Sequence, residues 1–347
     1  MRTPCEISRP AKRNPMPLRL SRVLFGFLLL LAAVARADIV RTSDNHIPVD
    51  PSKPVFLDFS TFAGSLNVKA SDAPEIEVHI RYEYAAKNPA KADEIRRNLT
   101  LHIGREGNGA KVTAEYSRDI HWTFESWPPV RLAFTITVPR QCNLKLVTRD
   151  GGIAIGEVKG HAEVKTGYGI IYFKGLDGDI VASSDFGDIV VAHCTGNLKL
   201  RSVSGNFRVG PVGGFADVFG YGGQIEVESA GAGVRAETSG ADLICGFSDP
   251  IVAPATLITG GANMLISLHP HSACTLDLKA SIFGRIVNVK NKLVFKAVSG
   301  GIGHSRAVLE LNGGGPKIHA KAGGGSIYLE ETALAPGKAR PVTPYSP

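Results

Sequence analysis

Four carboxylates lie close together in the stretch GLDGDIVASSDFGDIV: Asp177, Asp179, Asp185 and Asp188. Side chains of this type could support two kinds of chemistry. Aspartates at a fixed step after glycines could ligate calcium, as in nonapeptide coils, and paired carboxylates could act as acid and base in polysaccharide cleavage. Calcium asks for about six to eight oxygens gathered from neighbouring coils, so the aspartates would have to recur. They do not: the matching positions hold Lys159, His161, Thr195 and Asn197. Cleavage would also need a groove with basic or aromatic subsites, and nothing in the sequence specifies one. The four read as solvated turn aspartates.

His269-Pro270-His271 followed by Cys274 offers donor types that suit zinc. A fourth ligand is missing nearby and Pro270 forces an extended loop, so an exposed loop with incidental histidines is the reading. Gly313, Gly314 and Gly315, and again Gly323, Gly324 and Gly325, invite comparison with phosphate cradles. Neither run is followed by Gly-Lys-Ser/Thr or a helical pattern, so both are turns. No Gly-x-Ser-x-Gly elbow occurs either. No catalytic residue, metal or cofactor is therefore expected.

The elements that position these residues follow from a repeat. Over residues 143–247 one pattern returns with a period of eighteen and again internally every nine, beginning NLKLVTRDGGIAIGEVKG, HAEVKTGYGIIYFKGLDG, DIVASSDFGDIVVAHCTG. The second and fourth positions are apolar, as in Leu144 and Leu146 or Ile180 and Ala182. Nine positions on, the alternation returns, as in Ile153 and Ile155 or Ile189 and Val191. Period-two spacing turns one face of a short strand inward. Glycine closes most half-units, where a chain reversing direction needs positive φ. A third apolar row, Val158, Leu176, Cys194 and Val212, plugs a corner. A fixed period marks stacked architecture, so the fold class is all-β, a parallel β-solenoid of 18-residue coils preceded by a β-rich N-terminal domain. Six coils at the usual strand spacing give a rod about 29 Å long. A meander of antiparallel hairpins explains the alternation and the glycines equally well, but not the constant period. Up one outward face run Lys145, Glu163, Val181, Lys199, Asp217 and Arg235, so opposite charges often become neighbours.

Outward apolar residues Tyr172, Val190, Phe219 and Ile244 are the candidate contact face. They would serve equally to pack beneath the irregular stretch 248–305.

Residues 1–37 combine seven basic side chains, a 12-residue apolar run at 23–34 and Ala35-Arg36-Ala37. This is the pattern of a secretory signal peptide cleaved before Asp38. Without it 32 Lys+Arg face 31 Asp+Glu, so the high net charge belongs mostly to that segment and the case for a nucleic-acid partner goes with it. A membrane is met only through that segment, if it stays uncleaved. Cys142, Cys194, Cys245 and Cys274 remain; Cys194 and Cys245 fall on inward rows as small apolar fillers, and pairing does not follow from sequence.

Residues 38–139 form a β-rich capping domain. Its strands fall near 55–59, 76–84, 99–103, 112–116 and 130–138, with a Gly107-Asn108-Gly109 hairpin turn and a short helix capped by Asn88 with Pro89 at its first turn. The solenoid domain spans 140–332. Strict spacing lapses over 248–305 and returns at Leu309 and Leu311, Ile318 and Ala320, Ile327 and Leu329. The tail 333–347 is proline-rich and reads as disordered.

FTITVP, then NLKLVTRDGGIAI and further G-x-Φ-x-Φ coils over residues 130–247, resemble a widespread bacterial family of β-strand-repeat domains of unknown function, labelled "putative adhesin". The resemblance implies an exported or envelope-associated solenoid and carries no site residues. With the export signal it gives the expectation of a non-enzymatic envelope or surface interaction module of the adhesin kind, meeting a glycan or a surface protein. The alternatives are an extracellular polysaccharide-processing enzyme of β-helix type and a periplasmic scaffold in an envelope stress or secretion assembly.

Overall fold

Runs in which apolar and polar residues alternate become strands that turn their apolar faces to one shared interior. A computed structural model describes residues 39–86, 88–117 and 129–332. The export segment expected over 1–37 and the tail expected over 333–347 lie outside the described residues. The N-terminal part contributes β1 (Ile39–Pro48), β2 (Phe56–Thr61), β3 (Ser65–Ser71), β4 (Glu75–Tyr84), helix α1 (Pro89–Arg97), β5 (Leu99–Glu106), β6 (Gly109–Tyr116) and β7 (Val130–Pro139). Asn88 caps α1, its side-chain oxygen accepting from the Lys91 amide at 2.9 Å. Gly107 and Asn108 join the antiparallel pair β5 and β6, as the turn residues predict.

The repeats become β8 (Asn143–Asp150), β9 (Ile153–Lys159), β10 (Ala162–Tyr168), β11 (Ile171–Asp177), β12 (Ile180–Phe186), β13 (Ile189–Val191), β14 (Leu198–Ser204), β15 (Phe207–Val212), β16 (Ala216–Gly220), β17 (Ile225–Ala230), β18 (Val234–Thr238) and β19 (Leu243–Gly246). Each strand pairs in parallel with the strand one full repeat later, as in Leu144 with Ala162, Ala162 with Ile180 and Ile180 with Leu198. Hairpins are thereby excluded for this stretch. Half-units alternate between two sheets, here called B (β8, β10, β12 and on) and A (β9, β11, β13 and on). Leu146, Phe173 and Phe207 are among the side chains sealed between them. The row of Val158, Leu176, Cys194 and Val212 stacks in register and is buried, as its spacing predicts.

Two devices hold the corners. Gly169 and Gly187 take φ of +138° and +145°, and a Cβ on Gly187 would collide with the carbonyl oxygen of Gly169 one rung below. Glycine is thus demanded by conformation and by close approach together. Inside the same corner runs a buried row of hydroxyls; Thr166 donates to the Gly151 carbonyl at 3.1 Å and Thr238 to that of Gly223 at 2.9 Å.

The C-terminal part adds β20 (Ala255–Thr259), β21 (Met264–Leu268), β22 (Cys274–Lys279), β23 (Ile286–Asn288), β24 (Phe295–Gly300), β25 (Arg306–Leu311), β26 (Lys317–Ala322) and β27 (Ile327–Glu331). Here space and chain order part. β26 and β27, last in sequence, slot between β20 and β22 in sheet B and between β21 and β23 in sheet A. Leu309 and Leu311 are not coil residues, contrary to their nine-residue spacing from the final coil; β25 runs antiparallel to β22. The opposite end mirrors this arrangement. β2 lies between β6 and β8, β3 between β7 and β9, all in parallel. Both sheets therefore continue without a break across residue 139, and the coil stack, read from sequence as starting at 140, reaches back to β2. Eleven two-strand coils are present among the described residues, about 48 Å from first to last. Antiparallel strands close the stack: β4 and β1 beyond β7, β5 beyond β6, and β25 and β24 beyond β22. Antiparallel closure blunts three edges that would otherwise be open to further coils, while the parallel strand β23 remains the edge of sheet A at the C-terminal end.

Candidate functional site

The aspartates are parted by the coil that carries them. Asp177 and Asp179 stand just before β12, Asp185 lies near its far end and Asp188 just beyond it, so the two pairs are parted by a run of about 20 Å. Their carboxylates are also engaged. Asp179 Oδ1 accepts the Asn197 amide at 2.6 Å, and Asp188 Oδ1 accepts the Asn206 amide at 2.7 Å. The pattern climbs the stack, since Asn197 takes the amide of Phe215 and Asn206 that of Gln224, each at 3.0 Å. Each side chain pins the next rung to its own, a register role that serves Asn and Asp alike. Asp177 accepts from the Thr195 hydroxyl at 2.8 Å and lies 3.5 Å from the Lys159 ammonium; together these hold its carboxyl below the usual range. A shallow cleft of about 270 Å³ opens beside it, lined by Asn143, Lys159, His161 and Asp179. Asp185 alone of the four is exposed without a hydrogen bond or ion pair among the described residues.

The histidine loop does not close on its cysteine. His269 and His271 lie ring to ring at 5.3 Å, with Asp249 3.7 Å from His269, whereas Cys274 points into the core of β22. Burial pushes its thiol up to about 11, and those of Cys142 and Cys245 to about 12. All four described cysteines are free and buried. Among the described residues, three ligand-type side chains do meet within 4.8 Å: His46, Glu75 and Glu77 on the antiparallel pair of β1 and β4. Sequence reading did not single them out, since β2 and β3 intervene between the two strands that carry them.

The four outward apolar residues do not form one face. Tyr172 and Val190 are register partners on sheet A, and Ile244 lies three rungs further on, beyond Arg208 and Glu226. Phe219 belongs to sheet B. All four are half-buried. Residue numbers contain the reason: Phe219 lies five half-units beyond Tyr172, and an odd number of half-units changes sheet.

An exposed apolar strip does exist at the end of sheet B beside the glycine corner, built from two adjacent columns of residues. Tyr168 closes β10 and Phe186 closes β12; they are register partners whose rings stack at 5.1 Å and 8°. The next residue in that column is Ser204; Val203 on β14 and Tyr221 just past β16 stand one position earlier, level with Asp185, and Tyr221 is edge-on to Phe219 at 5.0 Å. Tyr168, Phe186, Val203 and Tyr221 are each about half exposed (55, 48, 49 and 58%), well beyond the ordinary outward side chain here. The corner bonds hold them, the Gly169 amide donating to the Phe186 carbonyl at 3.0 Å and the Gly187 amide to that of Ser204 at 2.9 Å. Four successive rungs make the strip about 14 Å long. Asp150, Asp185 and Ser204 flank it, all exposed. The missed signal for Tyr168 and Phe186 is an aromatic directly before the turn glycine, as in TGYG and SDFG; Tyr221 in FGYGG stands one residue earlier.

No family model matches the chain, and no curated protein matches it either. Several solved structures are similar in outline. A "putative adhesin" from Bacteroides fragilis is 11% identical with a TM-score of 0.39, covering 85% of this chain and 98% of its own. A second "putative adhesin", from Parabacteroides distasonis, is 9% identical with a TM-score of 0.39 over 86% and 98%. A "putative lipid binding protein" from the same organism is 14% identical with a TM-score of 0.41 over 84% and 96%.

Proposed function

We propose that this protein is a non-enzymatic interaction module of the cell envelope or surface, adhesin-like in action, whose contact face is the aromatic strip. One observation carries the reading: four large apolar side chains from consecutive rungs stay half exposed on a scaffold whose backbone is fixed on both sides. Exposed rings on a rigid face offer area at little entropic cost, since few rotors are left to freeze on binding. The flanking carboxylates and hydroxyl suit a glycan, whose C–H faces would lie on the rings while its hydroxyls donate to Asp150 and Asp185. Asp185, unoccupied by any register bond, is the carboxylate free to do so. Export through the N-terminal segment would bring the strip to such a partner. The aspartates offer no competing catalytic pair, because they are parted and pinned.

A glycan-array screen, followed by titration of any hit, tests the reading. Replacing Tyr168 and Phe186 by Ser should lower affinity at least tenfold with little change in melting temperature, while Tyr172→Ser on the other sheet leaves affinity alone. Binding that survives in the strip variant, or turnover of the bound glycan, would overturn it.

A further inference from the structure

The C-terminal end of the stack differs from the rest of the surface in two independent ways. Residues 278–309 contain six basic side chains, Lys279, Arg285, Lys290, Lys292, Lys296 and Arg306, and no aspartate or glutamate. The three most exposed large apolar side chains among the described residues project from the same segment: Phe283 at 89%, Val294 at 83% and Ile282 at 81%. β23 ends sheet A and β24 ends sheet B, so both features gather at one tip. The tip is tied together, the Ile286 amide donating to the His304 carbonyl at 2.9 Å and the Gly303 amide to that of Ile286 at 2.8 Å.

Charge placement is the sharper anomaly. Along the outward column of sheet B, Lys111, Asp58, Lys145 and Glu163 alternate in sign. At the tip, Lys321, Lys279 and Arg306 are direct cross-strand neighbours, all exposed, and none forms an ion pair among the described residues. Like charges placed opposite one another destabilise a sheet. An anionic ligand bound across them would relieve that repulsion. Lys292 is paired with Glu331 at 2.9 Å and Lys296 with Glu310 at 3.4 Å, which leaves Lys321, Lys279 and Arg306 as the unpaired row. Protruding apolar side chains on the same tip as such a row match the chemistry of an anionic bilayer, whose headgroup layer accepts apolar groups and whose phosphates attract cations.

The geometry points to the tip as a docking surface for an anionic lipid membrane, with Ile282, Phe283 and Val294 entering the headgroup layer and Lys279, Arg306 and Lys321 engaging lipid phosphates. The strip on sheet B lies four to seven rungs from β22, about 19 Å or more, so the two surfaces act separately, and a membrane is met by folded β-structure and not only by the N-terminal segment.

The test is flotation of the full chain with vesicles of phosphatidylcholine mixed with phosphatidylglycerol, against phosphatidylcholine alone, at low and high salt. Binding should require the anionic lipid and weaken with salt. Each basic residue lost should weaken it roughly fivefold, so Lys279→Glu with Arg306→Glu should reduce it more than tenfold. Ile282→Ser with Phe283→Ser, in an exposed loop, should reduce binding while unfolding curves stay unchanged. Three results would overturn the inference: equal binding to neutral vesicles, binding unaltered by either variant pair, which would trace it to residues 23–34, or sedimentation showing that the variants abolish a dimer instead.

Discussion

The middle coils and the C-terminal end solve the same stacking problem differently. Between residues 143 and 246 each rung follows its sequence neighbour, most corners combine a glycine approach with an Asn or Asp pin, and outward charges alternate up much of sheet B. Beyond residue 288 the chain leaves the stack, runs an antiparallel pair, and returns to fill a gap one rung back. Uniform rungs are held by local, repeated bonds. The end is held by long-range fit, and it leaves apolar and cationic groups exposed. The regular part is therefore where stability is concentrated, and the irregular part is where surface chemistry is free to vary.

The largest effect should be alkaline and should strike the regular coils. Burial raises the thiols of Cys142 and Cys245 to about 12, so below the unfolded value near 9 their contribution is intact. Above it the unfolded chain ionises and the folded chain does not, which removes up to about 1.4 kcal/mol per thiol per pH unit until the folded value is reached. Urea midpoints between pH 8 and pH 11 should fall steeply, and Cys245→Ala should flatten the slope. Next comes the core: Phe173→Ala should cost about 3–5 kcal/mol, whereas Phe283→Ala at the tip should stay within about 0.5 kcal/mol. Gly187→Ala should cost about 3 kcal/mol, from left-handed φ plus collision, against about 1 kcal/mol for Gly303→Ala, whose φ is +87° in open space. Equal costs at the two glycines would show that the corner tolerates displacement. The smallest effect should be Asn206→Ala, about 1–2 kcal/mol for a lost register acceptor, beside no measurable change for Asp185→Ala.

The sequence made the regular region legible because its determinants are local. Alternation at Leu144 and Leu146, turn glycines at nine-residue intervals and the Val158 row each specify their own place, and the constant period favoured stacked coils over hairpins, which the parallel pairing then excluded. Out-of-order insertion was illegible: Ile318 pairs with Ala255, a strand laid down long before it in the chain, and nothing near either residue encodes that partner. Leu309 and Leu311 misled for a related reason, since alternation looks alike in parallel and antiparallel strands. At the candidate site, residue type misled. Asp179 and Asp188 looked like chemistry because they are acidic, yet they do what Asn197 and Asn206 do one coil later. Outwardness was inferred from strand parity, which selected Tyr172 and Val190 but missed Tyr168, Phe186 and Tyr221, because at a corner the chain turns and parity no longer decides exposure.

Every surface described here depends on residues one repeat apart standing on adjacent rungs. Spin labels at Glu163→Cys and Arg235→Cys measure this directly, since both sites are exposed and four rungs apart through Val181, Lys199 and Asp217. Coaxial coils place the two backbones about 19 Å apart, and a pulsed dipolar distance centred there, widened only by the label arms, is the expected result. A distance of roughly 38 Å, the span of eight strands laid side by side, would contradict the account.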